Sequence, residues 1–74
     1  MDELSEKGKE IYDKLLPSIL PHYKDQFIVI DMSSEYWIDK TLTKALQEAR
    51  AKYPSRKFYL AKIGAKDGSV AQFT

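Results

Sequence analysis

Hydrophobic residues recur at helical spacing in the N-terminal part of the chain, at Leu4, Ile11, Tyr12, Leu15 and Leu16. Pro17 disfavours helical geometry at the residue before it, so the first helix is predicted to end at Leu16. Residues 16–21 are predicted to form a short apolar connection that folds Ile19 and Leu20 back onto the core.

Three apolar runs further along the chain predict strands. Phe27–Ile30 is apolar at every position, which is typical of a central strand buried on both faces. Glu35–Ile38 is predicted to return as the second strand of a hairpin, and Lys57–Ile63 to form the third strand, closed by Gly64. The dipeptide Asp67-Gly68 favours a hairpin turn, so residues 70–73 either return as a short fourth strand or stay outside the sheet.

A second helix is predicted between the second and third strands, with Thr41 as its N-cap and Pro54 ending it. Its apolar positions are Leu42, Ala45, Leu46, Ala49 and Tyr53. The predicted fold is therefore α+β, in the order α-β-β-α-β. Because an apolar strand is a liability at a sheet edge, the antiparallel sheet is predicted to have the order 2-1-3. The predicted core includes Val29, Ile30, Leu46, Ala49 and Leu60.

Length and composition limit the chain to a small single domain, 1–74. Of its 74 residues, 43% are apolar and 31% charged, and a chain of this size buries about 60% of its surface on folding. The absence of cysteine excludes disulfides and thiolate chemistry. The apolar runs are too short to span a bilayer, and the acidic N-terminal segment differs from a secretory leader. We therefore expect a cytoplasmic protein with no membrane association.

The charge is unevenly distributed, although its sum is only +1. Residues 1–37 hold eight acidic and four basic residues, and residues 38–74 hold three acidic and eight basic ones. Either the two halves attract each other, or the basic half faces an acidic partner. Arg50, Lys52, Arg56 and Lys57, with Tyr53, Phe58 and Tyr59 interleaved, are the candidate RNA or DNA contacts. The pI near 7.9 is lower than such a role favours.

The middle of the chain carries a recognisable pattern: residues 27–31, Trp37-Ile38-Asp39, Thr41 leading into 45–50, and 58–64. It resembles a family of short bacterial proteins classed as a domain of unknown function. The strand-hairpin-helix part is also similar to HicB-type antitoxins, with Lys44 in place of the acidic residue usual before Ala-Leu. The resemblance implies a fold and a role beside a partner protein, and it transfers no catalytic residue.

No constellation of residues predicts catalysis. The single histidine, His22, lies in a proline-flanked segment, and the sequence has no Gly-x-Ser-x-Gly motif that would supply a nucleophile for it. Asp31, Glu35 and Asp39 are predicted to be exposed turn and cap acids, and no ligand cluster suggests a metal. We expect no enzymatic activity, no cofactor and no metal.

Both faces of the predicted sheet are apolar, and the second helix can cover only one. Because the first helix is predicted to be short, its coverage of the other face should be incomplete. We therefore expect a protein-interaction or regulatory module, antitoxin-like or adaptor-like, that binds a protein partner or self-associates through Tyr36, Trp37, Ile38 and Phe58. Trp37 is the expected anchor. The alternatives are a nucleic-acid-binding domain and an accessory subunit of an enzyme.

Overall fold

Two helices and three strands make up the fold in the computed structural model, which describes residues 3–64. In chain order they are α1 (Glu3–Tyr23), β1 (Phe27–Ile30), β2 (Tyr36–Asp39), α2 (Leu42–Lys52) and β3 (Tyr59–Lys62). The strands form an antiparallel sheet in the order β2-β1-β3. This confirms the predicted α+β class, the element order and the central position of β1. The fourth strand considered at residues 70–73 lies outside the described residues.

Helix α1 is longer than predicted, because it continues through Pro17 and Pro21 to Tyr23. Each proline removes one helical hydrogen bond, and a proline inside a helix costs about 3 kcal/mol or more. Apolar burial after Pro17 offsets this cost: Ile19 is 4% exposed, and Leu20 packs against the same cluster. The two side chains do reach the core, as predicted, but they do so from a helix rather than from a connection.

The two helices cover opposite faces of the sheet. Helix α1 packs over β1 and β3, and α2 packs over β1 and β2. One core cluster contains Ile28, Ile30, Tyr59, Ala61 and Ile63 under α1, and the other contains Val29, Phe58 and Leu60 under α2. The alternation of side chains along each strand is as predicted. The prediction that α1 covers its face incompletely was wrong for β1 and β3. Their side chains on this face are buried, because the helix continues past Pro17 and brings additional apolar residues onto the sheet.

A close approach fixes the distance between α1 and the sheet. A Cβ atom at Gly8 would lie 2.3 Å from the Cβ of Tyr59, so only glycine allows this helix–strand spacing. One turn further on, the Tyr12 hydroxyl donates a hydrogen bond to the Lys62 carbonyl (3.3 Å) and accepts one from the Gly64 N–H (3.1 Å). The start of α1 is thereby tied to the end of β3.

Four of the five predicted core residues are buried, and the exception is Leu46. Ala45 and Ala49 point at the sheet, and Leu46 is rotated by about 100° from Ala45 around the helix axis. It therefore lies on the flank of α2, where it packs against the core from the side. Leu46 also lines a shallow surface groove together with Leu42, Thr43, Gln47 and Arg50.

The different burial of two leucines gives a stability prediction. Leu60→Ala is expected to lower the free energy of unfolding by about 2–5 kcal/mol, because it leaves a cavity in a closed core. Leu46→Ala should cost about 1 kcal/mol, since part of its side chain already contacts water. Denaturant unfolding of both variants measures the difference. An equal loss for the two would show that the flank of α2 is buried.

Candidate functional site

Asp31 lies directly after the central strand, and its side chain is fully buried. Its Oδ2 atom accepts hydrogen bonds from the Ser33 N–H (3.0 Å), the Ser33 hydroxyl (2.6 Å) and Arg56 Nη1 (2.8 Å). Its Oδ1 atom is buried and has no hydrogen-bond partner among residues 3–64. The prediction of an exposed turn acid was wrong, because the alternation of β1 continues through Asp31 and places it on the same face as Val29, under the end of α2.

Arg56, which follows Asp31 by 25 residues, provides the counter-charge for the Asp31 carboxylate. The chain turns after α2, with a hydrogen bond from the Arg56 N–H to the Tyr53 carbonyl. This turn places the guanidinium 4.2 Å from the centre of the Tyr53 ring and 2.8 Å from Asp31. Its side chain remains about half exposed, so one end of the ion pair contacts water.

Glu35, at the start of β2, forms a second polar contact with the end of α2. Its carboxylate accepts hydrogen bonds from Lys52 Nζ and from the Tyr53 hydroxyl (2.6 Å). The hydrogen bonds from Lys52 and Tyr53 hold the pKa of Glu35 below its ordinary value. In turn, the hydrogen bond to Glu35 raises the pKa of Lys52 and the pKa of Tyr53. The Glu35–Lys52 pair is therefore charged at neutral pH, and the Tyr53 hydroxyl is neutral.

Trp37 lies next to this polar cluster, on the α2 side of β2. Its ring makes edge-to-face contacts with Tyr53 and Phe58, at centroid distances of 6.1 and 5.9 Å. Of the four predicted partner-binding residues, Tyr36 is 41% exposed, Trp37 and Ile38 are half-buried, and Phe58 is fully buried. Phe58 therefore supports Trp37 from inside and does not itself reach the surface.

The outer edge of β2 has no strand paired with it in the part of the chain that the structure describes. The hydrogen bond from the Asp31 N–H to the Glu35 carbonyl (2.8 Å) identifies this pair as hydrogen-bonded. Because hydrogen-bonded and non-hydrogen-bonded pairs alternate along an antiparallel ladder, Trp37 bonds to β1, and Tyr36 and Ile38 direct their backbone N–H and C=O groups outward.

The four candidate nucleic-acid contacts lie around the C-terminal end of α2, and all are exposed. Lys52 and Arg56 are already paired with Glu35 and Asp31, whereas Arg50 and Lys57 form no salt bridge within residues 3–64. Phe58 and Tyr59, which the sequence placed among these cations, are buried on opposite faces of the sheet. Neither ring can therefore stack on a base.

The polar cluster was not predicted from the sequence; it consists of Asp31, Glu35, Lys52, Tyr53 and Arg56. One signal was available: an acidic residue that continues the alternation of a fully apolar strand is placed inside and requires a cation nearby. Which cation fills that role depends on the turn after α2, and no local pattern identifies it.

Other candidate chemistry is not supported by the described residues. His22 is exposed near the end of α1, where its ring contacts the edge of Tyr23. Within residues 3–64 no group of three or more histidine, cysteine or acidic side chains could hold a metal ion. No helix in this range is long and apolar enough to cross a membrane.

No protein-family model, curated protein or solved structure matches the chain.

The buried position of Asp31 gives a prediction for its counter-ion. Arg56→Met is expected to lower the free energy of unfolding by about 2–4 kcal/mol, because it leaves a buried carboxylate unpaired. The matched control is Arg50→Met, which removes an exposed arginine without a described ion pair and should cost less than about 0.5 kcal/mol. Equal losses in denaturant unfolding would mean that Asp31 does not depend on Arg56.

The Glu35 cluster predicts a pH dependence of stability. Because the folded-state pKa of Glu35 is lowered, its stabilising contribution is complete above about pH 4.5 and is lost as the pH falls through the folded pKa. The folded-state pKa values of Tyr53 and Lys52 are raised, so their contributions are complete below about pH 10 and are lost above it.

Thermal unfolding between pH 3 and 11 tests this dependence. Glu35→Gln should flatten the profile at both ends relative to the wild type, while Glu48→Gln, on the exposed face of α2, should leave both ends unchanged. A Glu35→Gln profile that parallels the wild type at low and high pH would contradict the assignment.

Proposed function

We propose that this protein is a non-enzymatic interaction module that binds an extended segment of a partner protein as a further strand along β2. The observation that carries the proposal is the outer edge of β2, where Tyr36 and Ile38 present backbone donors and acceptors that no group within residues 3–64 pairs. Backbone groups in this arrangement bind an added strand through the same hydrogen bonds that join strands within a sheet. An antitoxin-like or adaptor-like role is part of the same proposal.

The side chains of β2 support the same proposal. Natural edge strands are commonly protected from pairing by short length, charged side chains, proline or a bulge. β2 has four residues and ends in Asp39, but its other three residues are uncharged, and the strand has no proline and is in regular register with β1. The two helices cover the faces of the sheet and leave Tyr36 exposed at its edge. An added strand would therefore find both backbone partners and apolar side chains.

The polar cluster holds this edge in its binding conformation. Glu35 fixes the start of β2 to α2 through Lys52 and Tyr53, and Thr41 caps α2 two residues after β2 ends. Trp37 is held between Tyr53 and Phe58. A surface that is ordered before binding loses less conformational entropy when the partner arrives.

Two variants at one position test the use of the backbone. Peptides selected from a displayed random library against the wild-type protein are measured against Tyr36→Pro and Tyr36→Ala. Tyr36→Pro removes one outward N–H and breaks no bond to β1, whereas Tyr36→Ala removes the ring and keeps the N–H. If a strand is added along β2, peptide binding should be at least about ten-fold weaker for Tyr36→Pro than for Tyr36→Ala. The reason is that proline cannot donate the ladder hydrogen bond and its ring lies in the way of the added strand.

Circular dichroism is measured first, to check that both variants keep the fold before their binding is compared. Equal affinities for the two variants would contradict strand addition. A mobility shift with mixed RNA and DNA serves as the second arm, because binding that falls steeply with salt would identify a nucleic-acid partner instead.

A further inference from the structure

The α2-facing side of β2 carries an aromatic ring with one carboxylate on each side of it. Glu35, Trp37 and Asp39 lie on the same face, because successive side chains of a strand alternate. Lys52 neutralises Glu35. Asp39 forms no salt bridge within the described part of the chain; its Oδ1 atom accepts only the Thr41 N–H, at 3.2 Å. Lys40 and Lys44 are its neighbours in sequence, and neither is within salt-bridge distance of its carboxylate.

A second copy of the chain does not fit this edge well. Two-fold antiparallel pairing centred on Trp37 would match Tyr36 with Ile38, but it would place Glu35 directly opposite Asp39. Because Lys52 is already paired with Glu35, this pairing would bring Asp39 a carboxylate and no free cation. Moving the centre to Ile38 places Trp37 opposite Asp39, and moving it to Tyr36 places Ile38 opposite Ser34. No register close to the centre of β2 therefore matches apolar with apolar residues and also provides Asp39 with a cation.

We propose that the strand bound by β2 carries a lysine or arginine opposite Asp39, followed by three apolar residues opposite Ile38, Trp37 and Tyr36. This inference rests on the proposed function and specifies its partner. Antiparallel addition continues the pattern of the sheet, so the cation precedes the apolar residues in the partner sequence. Because, among residues 3–64, only the Asp39 end of β2 has an acid without a salt bridge, the charge also selects the direction of the bound strand.

Synthetic peptides test the charge and the direction. The probes contain Lys-Val-Ile-Val, Gln-Val-Ile-Val, Glu-Val-Ile-Val or the reversed Val-Ile-Val-Lys, each with blocked ends and Gly-Ser flanks, and binding is followed by the fluorescence of Trp37. We expect the lysine-first peptide to bind about 2- to 5-fold more tightly than the glutamine peptide, as is typical of a cross-strand ion pair. The glutamate and reversed peptides should bind more weakly than the glutamine peptide and the lysine-first peptide, respectively.

Two variants assign the preference to one carboxylate. Asp39→Asn keeps the oxygen that accepts the Thr41 N–H and removes the charge, so it should abolish the preference for lysine over glutamine. Glu48→Gln, on the exposed face of α2, is the matched control and should preserve that preference.

The outcomes separate this inference from the proposed function. Equal binding of all four peptides, with binding still lost in Tyr36→Pro, would overturn the inference and leave strand addition standing. No binding of any peptide to the folded protein would overturn both. Concentration-dependent dimerisation in light scattering that Tyr36→Pro abolishes would show a second copy on β2 and overturn the inference.

Discussion

The structure depends on a central strand that is apolar on both faces. Every side chain of β1 is hydrophobic, so water must be excluded from both sides of a sheet that has three strands within residues 3–64. One helix cannot do this, and the chain therefore places α1 and α2 on opposite faces. The same constraint extends one residue beyond the strand: Asp31 is drawn inside with β1, and the turn after α2 must bring Arg56 to meet it. The polar cluster is a consequence of the apolar one.

Most of the fold could be predicted because it follows from two periodicities. Alternation in the strands predicted which side chains share a face of the sheet, helical spacing predicted the two helices, and the all-apolar run predicted that β1 is central. The errors arose where tertiary packing outweighs a local rule. Pro17 ends helices in most contexts, but here Ile19 and Leu20 gain enough burial for the helix to continue. Leu46 matches the helical stripe, yet the two alanines beside it determine which side of α2 touches the sheet.

The candidate site could be predicted only in part. The exposed edge at Tyr36 and the position of Trp37 follow from the hairpin pattern and the strand order. The contacts that hold this edge join residues 17 to 25 positions apart, such as Glu35 with Lys52 and Asp31 with Arg56. Their partners are determined by how α2 crosses the sheet and by one turn at its end, and neither is encoded in spacing. The electrostatic asymmetry between Glu35 and Asp39 becomes visible only once these pairs are known.

The position of β3 in the chain also determines when α1 can complete its packing. Pro17 and Pro21 each remove one internal hydrogen bond from this helix, and most helical stability in proteins comes from tertiary packing. Its stability comes from packing on β1 and β3, and Gly8 and Tyr12 contact the C-terminal strand β3. Helix α1 can complete these contacts only after β3 has been synthesised. Until then, its apolar side chains lack part of the surface that buries them.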